Sequence, residues 1–486
     1  MQKRLVVYYI GQLFVVLAFF MLAPLCLSYA DASERSLNAY TISILVSLII
    51  GLSLRFISHR YKVDILKITR KEAFGIVTFG WIGVGLISGL PMLLDGTTSS
   101  FSSSTFEAIS GLTTTGATVL SDFDSVSRAT HLWRALLHWI GGMGIVVLFV
   151  AIFPQMGISG KYLFKTEVAG PITEGLKPRI KQTALRLWWI YMFFTVLCTL
   201  LLFISGLPIF EAILHAFSIL STGGFSSDAD SIGAFKNPAA EWITIVFMLV
   251  GGINFGLYYG LFQGKVNKLF QSSEVRFFLF LNLFIGLLIF FAGIGWNPSD
   301  WHDSFRGALF QTVAVTTTTG LMTGDFDTYP LVSKYLLLLC MFIGGCAGST
   351  AGGIKVSRVM IVFKRCLQEL RLTLHPQEVV STKLGKQTIP RRVISSVFIF
   401  VCSYFLLYLF GAFLMFALGL DWVTASSSVV ACLSSVGPGF GAVGPTENYE
   451  FIPALGKYIL CFYMIAGRLE IFVLLTIFTP SFWRKG

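Results

Sequence analysis

The sequence predicts an all-α integral membrane protein in which ten transmembrane helices and four re-entrant helix–loop segments form a fourfold pseudo-symmetric repeat. Two observations predict this fold class. Of the 486 residues, 55% are hydrophobic and 13% are charged, and the mean hydropathy of +0.76 is far above that of a soluble domain. In addition, one short segment that contains a hydroxyl residue and a glycine recurs four times, each time between two long apolar stretches.

Ten apolar stretches are long enough, or nearly so, to cross a bilayer, because about 20 helical residues span the hydrocarbon core. In chain order they are Leu5–Ser28, Tyr40–Phe56, Phe74–Leu94, Leu132–Phe153, Leu187–Ile204, Trp242–Phe262, Val275–Ile294, Leu331–Phe363, Val393–Leu420 and Tyr458–Phe478. When successive connections are assigned to alternate sides, most of the 36 Lys and Arg residues fall on the side of Met1. Positive charge marks the cytoplasmic side, so we expect a multi-pass protein with both termini in the cytoplasm. The net charge of +11 then reflects topology and membrane lipid, and it requires no nucleic-acid partner.

The recurring segment divides the chain into an N-terminal pair of helices and four repeats. The predicted units are 1–61 for the N-terminal pair, 62–160 for repeat one, 161–271 for a cytoplasmic connector with repeat two, 272–363 for repeat three and 364–486 for a second connector with repeat four. The two connectors, Lys161–Arg186 and Lys364–Arg392, are basic and polar. They are long enough to contact another protein, and they could equally be linkers that lie near anionic lipid.

Each recurring segment is a hydroxyl residue, then Thr or Val, then Gly, and each follows a short, weakly polar helix candidate. The four segments are Thr114-Thr115-Gly116, Ser221-Thr222-Gly223, Thr318-Thr319-Gly320 and Ser435-Val436-Gly437. A dehydrated monovalent cation needs several oxygens at close range, and selectivity filters supply them from the backbone carbonyls of converging loops. Glycine tolerates the unusual dihedrals of such loops. A single Thr-Thr-Gly is also an ordinary turn or helix end, but four in register with the spans predict channel-like filter loops.

This arrangement resembles the Trk/Ktr/HKT superfamily of potassium transporters, and most closely its bacterial TrkH-type potassium-uptake subunits. The resemblance covers essentially the whole chain, including the two extra N-terminal helices, and its matching stretches are Leu112–Thr118, Ser221–Phe225, Thr316–Thr323 and Ser434–Gly441. It implies that the filter glycines are Gly116, Gly223, Gly320 and Gly437, and that Gly at position 116 favours potassium over sodium. The chain departs from the channel sequence TVGYG in every repeat, so we expect a shorter filter and weaker selectivity than in a dedicated potassium channel.

The resemblance also implies a substrate and partners. K+ is the expected bound substrate, with no covalent cofactor, and its oxygen ligands are expected at Thr114, Thr115, Ser221, Thr222, Thr318, Thr319, Ser435 and Val436. A location in the bacterial inner membrane is implied, as is a homodimer in which each protomer has its own pore. A cytoplasmic ring of nucleotide-binding, TrkA-type regulatory subunits is implied as well, and the basic connectors would contact it.

A glycine-rich stretch in span eight predicts a break in the helix. It contains five glycines within ten residues and then a lysine: Gly344, Gly345, Gly348, Gly352, Gly353 and Lys355. Each glycine costs a helix about 1 kcal/mol relative to Ala, so we expect a broken helix with an unwound loop beneath the filter. A kinked, tightly packed helix is the alternative. The phosphate-loop pattern fails because Ile354, not Lys, follows Gly353, and the resemblance implies that the loop is a gate.

Arg468 is a basic residue deep within a predicted span, where a charge is costly unless it faces protein or water. It follows the last of four recurring small-residue positions on the second helix of each repeat: Gly141-Gly142, Gly251-Gly252, Gly344-Gly345 and Ala466-Gly467. This register places Arg468 below the filter. We expect it to be an electrostatic barrier to cations that is held by carbonyls of residues 344–353. A structural ion pair with Glu470 or a neighbouring helix is the alternative.

These observations favour potassium-selective cation uptake through a gated, channel-like pore that is driven by the membrane potential. An ion-coupled symporter, using sodium or protons, is the alternative, and it would need carboxylates near the midplane, for which Glu470 is the candidate in the sequence. A nonconducting receptor is disfavoured because all four filter glycines are present. No constellation of catalytic residue types recurs in register, so we do not expect an enzyme.

Overall fold

The computed structural model describes residues 2–59, 69–152, 176–262, 264, 267–293, 301–378, 380–385 and 387–484. These residues are mostly helical, and their one sheet is a two-stranded antiparallel hairpin, β1 (Lys383–Leu384) with β2 (Gln387–Thr388). The predicted fold class, an all-α membrane protein of channel-like repeats, is confirmed. The predicted unit boundaries at 61 and 160, and residues 161–175 of the first connector, lie outside the described residues.

Three helices form the N-terminal part, α1 (Lys3–Phe20), α2 (Leu22–Ala30) and α3 (Glu34–His59). The helices α1 and α3 cross where Gly11 faces Gly51. A Cβ atom on Gly11 would lie 2.7 Å from the carbonyl oxygen of Gly51, so glycine permits the close backbone approach that is common between membrane helices.

Each repeat consists of an outer helix, a short re-entrant helix, a non-helical segment and an inner helix. In repeat one these are α4 (Arg70–Ser88) with its extension α5 (Leu90–Leu94), the re-entrant helix α6 (Phe101–Leu112) and the inner helix α7 (Arg128–Ile152). In repeat two they are α8 (Leu176–Ile204), the re-entrant helix α9 (Ile209–Ser221) and an inner helix in two parts, α10 (Pro238–Gly252) and α11 (Phe255–Phe262).

Repeats three and four have the same order of helices. The short helix α12 (Asn267–Gln271) lies between repeats two and three. Repeat three has the outer helix α13 (Ser273–Phe291), the re-entrant helix α14 (Trp301–Thr316) and the inner helices α15 (Leu331–Phe342) and α16 (Val356–Leu374). Repeat four has the outer helix α17 (Arg391–Ala417), the re-entrant helix α18 (Trp422–Ser434) and the inner helices α19 (Ala454–Arg468) and α20 (Ile471–Ile477), followed by α21 (Pro480–Trp483).

The structure corrects two of the predicted spans. The stretches Trp242–Phe262 and Tyr458–Phe478 are not continuous helices, because the inner helices bend by 103° after Gly252 and by 117° after Arg468. At the second bend Glu470 adopts a positive φ of 62°, which a helix does not allow. Six described helices are long and apolar enough to cross a membrane, or up to eight if each bent pair is one span. The count of ten stays a prediction.

The re-entrant helices of repeats one and four are enclosed along almost their whole length. Every residue from Ser102 to Leu112 of α6 is buried, as is every residue from Thr424 to Ser434 of α18. The N-terminal and outer helices instead expose large apolar side chains, such as Ile49 on α3 and Leu406 on α17, as expected for a surface that faces lipid. The polar re-entrant helices therefore meet at the centre, with the apolar helices around them.

Candidate filter and gate

The four re-entrant helices end in one and the same backbone turn. After each helix a residue takes the left-handed conformation, and the N–H of the next residue donates to a carbonyl five residues back: Thr115 to Ser110, Gly223 to Ser218, Thr319 to Ala314 and Val436 to Ala431, at 2.8–2.9 Å. The left-handed residues are Thr114, Thr222, Thr318 and Ser435, with φ between 52° and 59°. This is the Schellman arrangement, which satisfies the last carbonyls of a helix, so the turns give a structural alignment of the repeats.

This alignment corrects the predicted filter of repeat two. The predicted segment Ser221-Thr222-Gly223 is out of register by one residue, and the equivalent segment is Thr222-Gly223-Gly224. Gly224 has φ of 89°, like Gly116 (83°), Gly320 (71°) and Gly437 (97°), whereas Gly223 does not have a positive φ. The triplet pattern selects the first of two adjacent glycines, and without backbone geometry nothing distinguishes the two.

The four positive-φ glycines close a ring. A Cβ atom on each would collide with a carbonyl oxygen of another repeat: Gly116 with Gly223, Gly224 with Thr319, Gly320 with Val436 and Gly437 with Thr115. Each repeat thus meets the next one in chain order, and repeat four meets repeat one. The carbonyls of Thr115, Gly223, Thr319 and Val436 stand at equivalent positions of this ring, which brings four backbone oxygens to one place.

The side chains beneath this ring are buried hydroxyls. Thr114, Thr222, Thr318 and Ser435 are fully buried, and the hydroxyl oxygens of Thr114 and Ser435 have no hydrogen-bond partner within the described part of the chain. Ser221, which the sequence assigned to this level, instead donates its hydroxyl to the carbonyl of Phe217 at 2.6 Å. Its place is therefore taken by Thr222.

Glycines on the inner helices let these helices approach the re-entrant helices closely. A Cβ atom on Gly141 would collide with the carbonyl oxygen of Leu112, and one on Gly467 would collide with that of Leu433. Leu112 and Leu433 each lie four residues before their filter glycine. The recurring small-residue positions therefore contact the end of the re-entrant helix at equivalent depth in repeats one and four.

The glycine-rich stretch of repeat three is an unwound loop between α15 and α16, not a kinked helix. A parallel bridge closes its base, where the N–H of Gly344 donates to the carbonyl of Ile354 and the N–H of Ile354 donates to that of Phe342, both at 3.0 Å. Between these points Gly348 and Gly353 adopt positive φ values of 77° and 63°, as an unwound segment requires.

This loop lies directly beneath the filter ring. The N–H of Gly352 donates to the hydroxyl of Thr318 at 2.7 Å, and a Cβ atom on Gly352 would collide with the carbonyl oxygen of Ser434. The hydroxyl of Thr350 donates to the carbonyl of Leu220 at 3.1 Å. The loop thus contacts the ends of the re-entrant helices or filters of repeats two, three and four.

Arg468 connects the same loop to repeat one. Its Nη1 donates to the carbonyl of Thr350 at 2.5 Å and its Nη2 donates to that of Gly141 at 3.2 Å, while the residue is 4% exposed. The expected attachment to loop carbonyls is therefore present in the structure. The alternative of an Arg468–Glu470 ion pair is wrong, because Glu470 pairs with Arg358 at 2.6 Å.

Sequence reasoning missed one charged residue at this loop. Oε1 of Glu274, at the start of α13, accepts from the N–H of Ala347 at 2.8 Å and from that of Ser357 at 3.1 Å. Glu274 is 7% exposed. The predicted span began at Val275 and so left this carboxylate outside the membrane. Lys355, which was included in the predicted gate, is also buried and donates to the carbonyl of Ala351.

On the side of the ring opposite the loop, Glu450 links repeat four to the re-entrant helix of repeat one. Its carboxylate accepts from the hydroxyls of Ser99 at 2.5 Å and Ser103 at 2.7 Å and from the ammonium of Lys457 at 2.6 Å. Burial alone would raise the pKa of this carboxyl, but the donors outweigh it, so the pKa of Glu450 lies below the ordinary value of 4.5.

Four helix–loop–helix repeats that close a ring of carbonyls, with an unwound loop beneath it, define a membrane protein with a fourfold repeat fold in a single chain. The chain belongs to the TrkH family, described as cation transport proteins, whose family model matches residues 36–485. It is 37% identical to the Trk system potassium uptake protein TrkH of Salmonella typhimurium and to that of Escherichia coli, over 100% of each chain. The crystal structure of the potassium transporter TrkH from Vibrio parahaemolyticus matches it with a TM-score of 0.90 at 35% identity, over 100% of both chains. These relatives are transport proteins rather than enzymes.

Proposed function

We propose that this protein takes up potassium through a gated, channel-like pore driven by the membrane potential. The ring of carbonyls at Thr115, Gly223, Thr319 and Val436 is the observation that carries the proposal, because carbonyl oxygens from four segments can replace the hydration shell of a monovalent cation. The potential contributes about 2.3 kcal/mol per charge for each 100 mV. The relatives named as potassium uptake proteins support the choice of cation.

In this proposal the described conformation is closed. The loop of residues 344–353 lies in the path below the filter, and Arg468 places a positive charge there, so a cation meets both a steric and an electrostatic barrier. Gating then requires that the loop leave its contacts with the filter ends. A homodimer in the bacterial inner membrane and a cytoplasmic, TrkA-type regulatory ring that releases the loop belong to the same proposal. The relatives' names place them in a Trk system, which supports further Trk components as partners.

Ion-coupled symport is the second candidate, and the buried carboxylate of Glu274 beside the loop is the observation that favours it. Under symport, the voltage at which net potassium flux reverses would shift with a sodium or proton gradient. In a pore that conducts passively, it follows the potassium gradient alone. Reversal voltages in proteoliposomes with imposed gradients therefore separate the two candidates.

The test of the filter is cation flux into proteoliposomes that contain this protein, measured for potassium, rubidium, caesium and sodium, with Gly116→Ser alongside. A side chain at Gly116 would collide with the carbonyl oxygen of Gly223 in the ring. Potassium-favouring flux that the substitution blunts supports the proposed pore. Sodium flux that equals potassium flux and does not change with the substitution would refute the proposed filter. Flux that is absent until a cytosolic regulator is added supports the pore and the proposed gate together.

A further inference from the structure

A buried ion pair lies directly behind the filter segments of repeats one and two. Oε1 of Glu107, on the re-entrant helix α6, lies 2.8 Å from Nε of Arg134 on the inner helix α7. The two residues are 0% and 1% exposed. Replacing a buried ion pair with apolar side chains often leaves the stability of a protein unchanged or raises it. Stability alone therefore does not explain why this ion pair is buried here.

Glu107 holds the chain that follows the filter glycine of repeat one. The hydroxyl of Thr118 donates to both of its carboxylate oxygens, at 3.0 and 3.1 Å, and the N–H of Val119 donates at 2.9 Å. Thr118 and Val119 are the second and third residues after Gly116. The carboxylate therefore fixes the position of the first filter segment from behind.

Arg134 holds the corresponding chain of repeat two. Its Nη1 donates to the carbonyl of Ser226 at 3.0 Å, and its guanidinium lies 4.1 Å from the ring centre of Phe225. One turn further along α7, His138 accepts from the N–H of Phe225 at 3.1 Å. Phe225 and Ser226 follow Gly224 directly. One inner helix thus spans the seam between the first two filter segments.

Repeats two and three hold their filter segments with side chains of different chemistry at the equivalent position, whereas in repeat four the equivalent Ser428 donates to the carbonyl of Ala425 on its own helix at 3.0 Å. The residues nine positions before the aligned filter glycines are Glu107, His215, Gln311 and Ser428. His215 bonds to the hydroxyl of Ser226 at 3.0 Å, and Gln311 donates to the carbonyl of Gly324 at 3.1 Å. Of these four positions in the described structure, Glu107 in repeat one is the one that pairs with a side chain of opposite and permanent charge, that of Arg134.

We infer that the Glu107–Arg134 pair is a positioning device that sets the spacing of the filter carbonyls at the seam between repeats one and two, and with it the discrimination of potassium from sodium. The inference rests on the proposed function. Charge-assisted hydrogen bonds are shorter and stronger than neutral ones. The guanidinium of Arg134 reaches Glu107, Thr118 and Ser226 at once, so the pair couples both segments rigidly.

The test compares the ratio of initial sodium to potassium uptake in proteoliposomes for Glu107→Gln and Arg134→Lys against the unsubstituted protein. Loss of the charge-assisted contacts should raise this ratio about threefold or more. The matched control is Glu241→Gln. Glu241 forms a largely buried ion pair with Arg306 at 2.6 Å between α10 and α14, and Arg306 also pairs with Asp303. The control should leave the ratio unchanged.

The double variant Glu107→Gln/Arg134→Met separates positioning from charge balance. It removes both charges, so a ratio restored to that of the unsubstituted protein would overturn the inference, and a ratio that stays high supports it. If Glu107→Gln does not fold, Arg134→Lys decides, because lysine keeps the charge but cannot reach three partners at once.

A second readout needs no flux, namely the shift in melting temperature on adding K+ compared with adding Na+. If the unsubstituted protein prefers K+ and the variants keep that preference in both measurements, the inference alone fails. If the unsubstituted protein shows no preference in either measurement, the proposed function fails, and the inference fails with it.

Discussion

The corrected register of repeat two makes a sharp prediction at Gly224. In Gly224→Ala, the new Cβ atom collides with the carbonyl oxygen of Thr319, while real Cβ atoms essentially never come closer than 3.0 Å. The carbonyl must therefore move by about 1 Å out of the filter ring. An ion–carbonyl contact is comparable to a hydrogen bond to a charged group, about 1.5–3 kcal/mol. Since 1.4 kcal/mol is tenfold, potassium flux should fall about ten- to hundredfold.

The matched control is Gly419→Ala. Gly419 has φ of 93°, close to the 89° of Gly224, but no atom of the described residues lies within 4 Å of its Cβ position. Both substitutions carry the same backbone strain, about 1–2 kcal/mol, and only one displaces a filter carbonyl. The assay is potassium uptake into proteoliposomes, normalised to monodisperse protein from size-exclusion chromatography. Equal flux in the two variants would refute the aligned register and the ring built on it.

Three further predictions concern Arg468, Glu274 and Glu450. Arg468→Ala removes two charged hydrogen bonds of about 1.5–3 kcal/mol each and the positive charge below the filter, so cation flux should rise about tenfold; unchanged flux in folded protein would count against a barrier. Glu274→Gln weakens the acceptor of one loop N–H group, that of Ala347, and of one in the first turn of α16, that of Ser357. Amide hydrogen exchange at both residues should therefore accelerate about tenfold, and equal exchange would show that the carboxylate does not anchor the loop. The lowered pKa of Glu450 stabilises the fold above the ordinary value of 4.5, and this contribution is lost as pH falls through the lowered pKa. Melting temperature should therefore fall on acidification more steeply in the unsubstituted protein than in Glu450→Gln, and parallel curves would contradict this.

The sequence predicts the parts of this molecule that depend on composition and repetition. The apolar stretches, the filter turns of repeats one, three and four and the unwound loop of residues 344–353 each follow from local residue preferences, so they are visible without coordinates. Arg468 could be placed below the filter because its register within the repeat is fixed by the preceding small residues.

Other features depend on the backbone or on tertiary contacts, and the sequence alone could not fix them. Gly223 and Gly224 are adjacent, and which one carries the positive φ is decided by where α9 ends. Glu274 sits at the edge of an apolar stretch, and its burial depends on a loop more than 70 residues away. The bend after Arg468 requires a positive φ at Glu470. Because glutamate does not favour that conformation, the sequence could not predict that the helix ends at Arg468.

The four filter segments belong to one polypeptide, which changes how a substitution acts. In a channel made of four identical subunits, any replacement is copied into every quadrant, so a residue that suits one quadrant must suit all of them. Here a replacement alters one quadrant alone. That independence lets Glu107, His215, Gln311 and Ser428 occupy equivalent places with four different chemistries. We therefore expect that substitutions can be combined one repeat at a time. Each would change the selectivity of the pore by a smaller amount than the same substitution in all four subunits of a homotetramer.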